Sequence, residues 1–180
     1  MNKSTTILIL CLITLFACKK ESKEEREAHD DKLTLQRANY TGNELRIDGY
    51  YYSVWSGGFY HMRVFYRNGT VKQTGSPSGS NISDADNYIS TISTEIMTKK
   101  YGWGVFIING SSIKLEEWMA GSNKLAAYTR EGTILNDTTF KFTQVYRLVS
   151  GVKTGVSALD ETFYFRQYSP KPDSTNQYIP

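Results

Sequence analysis

Residues 59–71 read Phe-Tyr-His-Met-Arg-Val-Phe-Tyr-Arg-Asn-Gly-Thr-Val, and this stretch decides the fold. Its apolar and polar side chains largely alternate on either side of Asn68-Gly69, the dipeptide most typical of a two-residue β-hairpin turn. Such a turn pairs Tyr66 with Val71. One face of the hairpin then forms the predicted core, with Tyr60, Met62, Val64, Tyr66 and Val71.

A second hairpin is predicted at Asn109-Gly110. It pairs Ile108 with Ser111 and Phe106 with Ile113. Four apolar side chains then share one inward face: Phe106, Ile108, Ile113 and Leu115. Further strand-like runs cover residues 45–54, 124–130, 139–148 and 161–168. Short strands separated by turn residues predict an all-β sandwich or barrel.

One segment departs from this pattern. Ile82, Ala85, Ile89, Ile92 and Ile96 recur at steps of three and four, which predicts a helix with one apolar face. Asn81 or Ser83 can cap its start. Its β-branched residues lower intrinsic helicity, so we expect it to pack across one end or one face of the sheet.

The fold class predicted is therefore all-β with one helix, an antiparallel meander of about seven or eight strands. Closing the meander into a barrel removes the exposed sheet edges. A barrel of about eight strands is either filled by side chains or able to hold one small ligand.

Four stretches resemble a group of small bacterial lipoproteins with a lipocalin-like domain. They are residues 48–52 (Asp-Gly-Tyr-Tyr-Tyr), 65–70, 132–140, and 161–168 followed by 170–174. The resemblance implies a calycin-type barrel and brings no catalytic residue. The predicted helix departs from the lipocalin plan.

The N-terminus predicts export and lipidation. Lys3 precedes an apolar run at residues 7–17, too short to span a bilayer, and Leu15-Phe16-Ala17-Cys18 resembles a lipobox. This resemblance implies cleavage before Cys18 and acylation of its sulfur, which anchors a protein to a membrane. The other cysteine, Cys11, lies in the signal, so no disulfide is expected.

We therefore expect a signal peptide at residues 1–17, a lipidated and highly charged tether at 18–32, and a barrel domain at 33–180. The expected location is the outer membrane of a Gram-negative bacterium. Lys20-Glu21 and the acidic residues after it leave the periplasmic and the cell-surface sides equally open. A net charge of only +3 argues against nucleic acid as a partner.

No catalytic or metal-binding constellation is recognisable. His29 and His61 are the only histidines, and neither lies near a nucleophile motif. We expect no cofactor. The leading hypothesis is a non-enzymatic barrel that binds a small apolar or amphipathic ligand, its interior lined by Tyr60, Met62, Tyr66 and Phe106.

Two other functions stay open. One is a structural or protein-interaction lipoprotein with a filled barrel, which would make its contacts through exposed aromatics such as Tyr51, Trp55 or Trp118. The other is a hydrolase that works through a pair of carboxylates.

Overall fold

The computed structural model describes residues 30–91 and 97–180. Residues Asp31–Pro180 form one compact unit. Its described residues form one helix, Ile82–Thr91 (α1), and eight strands: Gly49–Trp55 (β1), Phe59–Phe65 (β2), Thr70–Gly75 (β3), Trp103–Asn109 (β4), Ser112–Ala120 (β5), Leu125–Asn136 (β6), Thr139–Val149 (β7) and Val152–Gln167 (β8). The expected signal peptide, Cys18, and the helix positions Ile92 and Ile96 lie outside the described residues.

The strands form a closed antiparallel barrel. Each strand pairs with the next along the chain, and β8 pairs with β1. The prediction of an all-β meander barrel with one helix is confirmed, and the architecture is consistent with a lipocalin-like fold. β8 is longer than predicted, because it begins at Val152 rather than near residue 161.

The first hairpin differs from its prediction by one residue. Phe65, not Tyr66, pairs with Val71. The amide of Gly69 donates to the carbonyl of Tyr66, and the amide of Tyr66 donates to the carbonyl of Thr70, both at 3.0 Å. Gly69 has a φ of 80°, so the loop has three residues and ends in a left-handed glycine. A shift of one residue puts the β2 side chains Met62, Val64 and Tyr66 on the face opposite to Val71. Val71 is inside the barrel as predicted, whereas the predicted inward face of β2 is wrong.

The second hairpin keeps its predicted faces. Asn109 pairs with Ser112 and Ile108 with Ile113, two positions away from the predicted register. A shift of two residues preserves the face of each side chain. Phe106, Ile113 and Leu115 are therefore inside the barrel, as predicted, and each is at most 2 % exposed.

Aromatic rings fill one half of the barrel. The ring of Phe65 contacts those of Tyr51, Phe106 and Phe140, which come from three other strands, at centroid distances of 4.9–5.7 Å. Contacts among so many strands are possible only through the interior. Tyr40 packs on Phe106 and covers this end from outside the sheet.

The helix packs on the outer face of the barrel. Ala85 and Ile89 are buried against outward-facing side chains, including Met62, Val64 and Trp103. Asn81 caps α1, because its Oδ1 accepts from the amides of Ser83 and Asp84. The N-terminal and C-terminal segments cover the same face through Leu33, Leu35, Tyr178 and Ile179. Within the described residues, no helix has the length and hydrophobicity needed to cross a bilayer.

Candidate functional site

The predicted ligand-binding residues are divided between two faces. Met62 and Tyr66 are buried on the outer face of β2, where they belong to the core beneath the helix, and Tyr60 packs at its edge. Phe106 lies inside the barrel. The structure thus brings Tyr60, Met62 and Tyr66 together, but not around the barrel axis.

The aromatics expected on an interaction surface are mostly buried. Tyr51 is 1 % exposed and Trp118 is 5 % exposed. Trp55 is 51 % exposed, at the end of β1. We call this end of the barrel, where β1 ends and β2 begins, the mouth.

A layer of charged side chains lies inside the barrel on the mouth side of the aromatic rings. The guanidinium of Arg63 donates two hydrogen bonds to Glu117, and Arg130 donates a third. Arg63 and Glu117 are fully buried. Burial opposes ionisation of Glu117, but the two guanidinium groups keep its pKa below the usual value.

A second buried pair joins β2 to β8. His61 Nδ1 lies 2.7 Å from Glu161 Oε1, which also accepts from Trp55 Nε1 at 3.0 Å. Burial, and then the charge of Arg63, lower the pKa of His61, so the imidazole is neutral and donates through Nδ1. Burial opposes ionisation of Glu161, but the bond from His61 and the charge of Arg63 lower its pKa.

These groups make an incomplete set for nucleophilic catalysis. Ser53 is buried and lies opposite His61 in the register of β1 and β2. A serine nucleophile needs a hydrogen bond to its base, and no such bond joins Ser53 to His61. The carboxylate of Glu117 is neutralised by Arg63. The carboxylate of Glu161 is held by His61 and Trp55.

A pocket of about 350 Å³ opens at the mouth. Lys72 is the last residue of β3 that pairs with β4. The pocket lies beyond Lys72, where β3 continues without β4 beside it. Its lining combines three aromatic rings with polar and small residues: Phe59, Gln73, Thr74, Gly75, Tyr88, Lys99 and Tyr101. The volume falls in the range of small-molecule sites, roughly 300–1,000 Å³.

One residue of the pocket lining, Gln73, also has a buried hydrogen-bond acceptor without a partner. Gln73 is 6 % exposed, and its Oε1 has no hydrogen-bond partner within the described part of the chain. Arg63 lies opposite Gln73 in the register of β2 and β3, and its Nε is an unpaired donor. Buried polar atoms in folded proteins are nearly always paired, so these two atoms are exceptions, and neither is accessible to solvent.

Glycine shapes the pocket wall. A Cβ at Gly75 would come within 2.3 Å of Phe59 Cζ. The absence of a side chain there leaves room for the tip of the Phe59 ring against β3. The opposite wall is held in place by Lys72, whose Nζ donates to the carbonyls of Lys99 and Tyr101 at 3.1 and 2.7 Å.

Two other recesses lack a comparable polar feature. One, of about 220 Å³, lies at the opposite end of the barrel between residues 38–44 and Phe106. The other, of about 450 Å³, lies between the C-terminal segment and Met97. Neither is lined by a side chain with an unpaired buried atom. Over residues 30–91 and 97–180, no three His, Cys, Asp or Glu side chains are grouped as a metal site would require.

Neither the charged layer nor the mouth pocket is predicted by the sequence pattern. Arg63 lies on the strand face opposite to the predicted core, and no sequence pattern singles out Glu117, because charged residues are rarely buried. The one available signal was the position of His61 and Arg63 on the same strand face as Phe59 and Phe65. Comparison of the chain with family models, curated proteins and solved structures gives no match.

Proposed function

We propose that this protein is a membrane-anchored binding module that holds a small amphipathic ligand at the mouth of its barrel and performs no chemistry on it. The observation that carries the proposal is a concave pocket of about 350 Å³ whose lining combines the rings of Phe59, Tyr88 and Tyr101 with polar side chains. Ligand sites in proteins are typically concave and apolar, with a few polar groups that fix the ligand's orientation.

The mouth suits this role better than the barrel axis. Phe140, Phe142 and Phe163 are fully buried and in mutual ring contact, so side chains already occupy the interior beyond the charged layer. An amphipathic ligand would place its apolar part between Phe59, Tyr88 and Tyr101 and its polar group toward Gln73. In this arrangement the filled interior of the barrel is a rigid support for the pocket at its mouth.

The proposed location follows from the sequence. Acyl chains on Cys18 would hold the domain at the outer membrane of a Gram-negative bacterium, on its periplasmic or cell-surface side. A binding domain at a bilayer surface is well placed to take up molecules that partition between membrane and water.

Fluorescence of N-phenyl-1-naphthylamine tests the proposal. This neutral aromatic amine brightens in apolar surroundings, and its rings suit a pocket lined by three aromatic side chains. The sample is the unacylated mature chain, residues 19–180, because Asp31–Pro180 contains both clusters of core residues. We expect saturable binding that Tyr101→Ala weakens about tenfold, which corresponds to about 1.4 kcal/mol.

Tyr164→Ala is the matched control. Tyr164 is 51 % exposed on β8, and Tyr101 is 36 % exposed at the pocket, so both substitutions remove a partly exposed ring. The control should leave the dissociation constant unchanged. If the probe does not bind, or if both variants weaken binding equally, the proposal is wrong. The barrel is then better regarded as a rigid body that makes contacts through Val54, Trp55 and Tyr164.

A further inference from the structure

We propose that the hairpin between β7 and β8 dips into the surface of the bilayer, so that the mouth of the barrel faces the membrane. This inference rests on the lipid anchor of the proposed function, and it adds which end of the barrel touches the lipid. It follows from the exposed apolar side chains of the hairpin and from the place where the tether joins the barrel.

The tip of the β7–β8 hairpin extends beyond the strands that flank it. β7 pairs with β6 only as far as Tyr146, and β8 pairs with β1 only from Tyr164 onward. Arg147–Val149 and Val152–Thr154 are paired only with each other. Ser150 and Gly151 join them with φ values of 50° and 79°, as in a two-residue hairpin turn.

The hairpin exposes three valines: Val149, Val152 and Val156. Val149 lies opposite Val152 next to the turn, so their side chains share one face. Lys153 is the only charged residue within residues 148–159, and its ammonium group bonds to Glu131 at 3.1 Å. The tip can therefore enter apolar surroundings without burying an unpaired charge. Its open strand edges limit the depth to the interfacial region, because hydrocarbon offers no partners to backbone groups.

Other exposed apolar side chains lie at the same end of the barrel. Of the eight large ones exposed within residues 30–91 and 97–180, six lie at the mouth: Val54, Trp55, Tyr101, Val149, Val152 and Val156. Leu135 lies at the opposite end, and Tyr164 lies midway along the wall. Tryptophan and tyrosine are enriched where proteins meet a membrane–water interface. The mouth is therefore the apolar end of the described surface.

The tether joins the barrel beside this hairpin. The amide of Asp31 donates to the carbonyl of Leu125, the first residue of β6, at 3.0 Å. The carboxylate of Asp31 accepts from Lys124 and Arg147 at 2.6 and 2.7 Å. Twelve residues separate Asp31 from Cys18, a length of at most about 45 Å when fully extended. Acyl chains on Cys18 would therefore hold the barrel to the bilayer by its mouth.

The edge of β8 is poorly suited to a partner strand. The register of β7 and β8 shifts twice, between Phe142 and Gln144 and between Val145 and Arg147. Gly155 has a φ of 61°. Such irregularities twist an edge and hinder the addition of another strand. A lipid surface needs no register, so it fits the hairpin better than an extended peptide or a second copy of the chain.

Fluorescence quenching by lipid tests the inference on the full acylated chain in phosphatidylcholine vesicles. Val152→Cys carries a nitrobenzoxadiazole label, which reacts only there because acylation blocks Cys18 and Cys11 is removed with the signal. The quencher is phosphatidylcholine with a nitroxide near the head of its acyl chain. An interfacial segment lies about 5–10 Å deep, so we expect quenching at least about threefold stronger than for the same label on Leu135→Cys. Leu135 is the matched control, because it is 56 % exposed and Val152 is 62 % exposed.

A second pair of variants separates insertion from mere closeness to the membrane. Val149→Asp places a charge opposite residue 152, so it should reduce the quenching there to the control value while the acyl chains keep the protein on the vesicles. Leu135→Asp adds the same charge at the opposite end and should leave the quenching at residue 152 unchanged.

Three results would overturn the inference, and they differ in what else they remove. Equal quenching at residues 152 and 135, in a chain that floats with the vesicles, leaves the anchor intact. A blue-shifted label at residue 152 that the nitroxide lipid does not quench shows that protein, not lipid, covers the hairpin. A chain that does not float with vesicles removes the anchor as well. Ligand binding is judged separately, by N-phenyl-1-naphthylamine fluorescence of the unacylated chain.

Discussion

The ammonium group of Lys72 is predicted to make stability depend on pH in the neutral to alkaline range. Lys72 is 1 % exposed, beneath the loop that forms one wall of the pocket. Its charge is met by two carbonyl groups and by the ring of Trp103 at 5.1 Å. Burial, and then the charge of Lys99, lower its pKa from 10.5 to about 7.

The sign of the effect follows from proton binding. Between the folded pKa, about 7, and the unfolded value of 10.5, the unfolded chain keeps a proton on Lys72 that the folded chain has lost. The free energy of unfolding therefore rises as pH increases through this window. From pH 7 to pH 9 the expected rise from this one group is about 2 kcal/mol.

Urea unfolding followed by tryptophan fluorescence measures the effect. The rise between pH 7 and pH 9 should be about 2 kcal/mol smaller in Lys72→Met than in wild type, because methionine does not titrate. For each protein the measured quantity is the change in the free energy of unfolding between the two pH values. The loss of the Lys72 hydrogen bonds in the variant lowers stability at both pH values and therefore cancels. An equal rise in the two proteins would refute the reasoning.

Three other substitutions test the core, the charged layer and the anchor. Phe140→Ala should lower the free energy of unfolding by about 3–5 kcal/mol in urea titrations, because Phe140 contacts four aromatic rings and the cavity would be dry; a loss below about 1 kcal/mol would contradict the filled interior. Arg63→Met should lower the free energy of unfolding by about 3–5 kcal/mol, since it leaves Glu117 buried with Arg130 alone. The calorimetric Tm should fall accordingly, and an unchanged Tm would exclude a buried ion pair. Cys18→Ser in the full chain should move the protein from the membrane fraction to the soluble one, and undiminished membrane partitioning would rule out acylation as the anchor.

The two hairpins show why the fold was predictable and the pocket was not. At Asn109-Gly110 the predicted register was wrong by two residues, and every side chain still faced the correct way. At Asn68-Gly69 the error was one residue, and the predicted inward face became the outer face beneath the helix. The existence of strands depends on composition and alternation, whereas the face of each side chain depends on one turn residue.

The charged layer could not be inferred for a different reason. Sequence patterns assign charged residues to solvent, and Glu117 and Arg130 show no local feature that marks them as buried. Their burial is stabilised by partners on other strands, and strands far apart in sequence meet only in the closed barrel. The first half of β8 was missed because residues 152–158 are exposed on both faces, so no apolar alternation reveals the strand.

A ¹H–¹⁵N correlation NMR titration with N-phenyl-1-naphthylamine tests the central claim most directly, because the Gln73 side-chain amide gives its own pair of signals. Binding at the mouth predicts shifts at that amide and at the backbone amides of Gly75 and Tyr101, with Phe140 unaffected. Shifts confined to Tyr40 and Phe106 at the opposite end of the barrel, or none at saturating probe, would contradict the account.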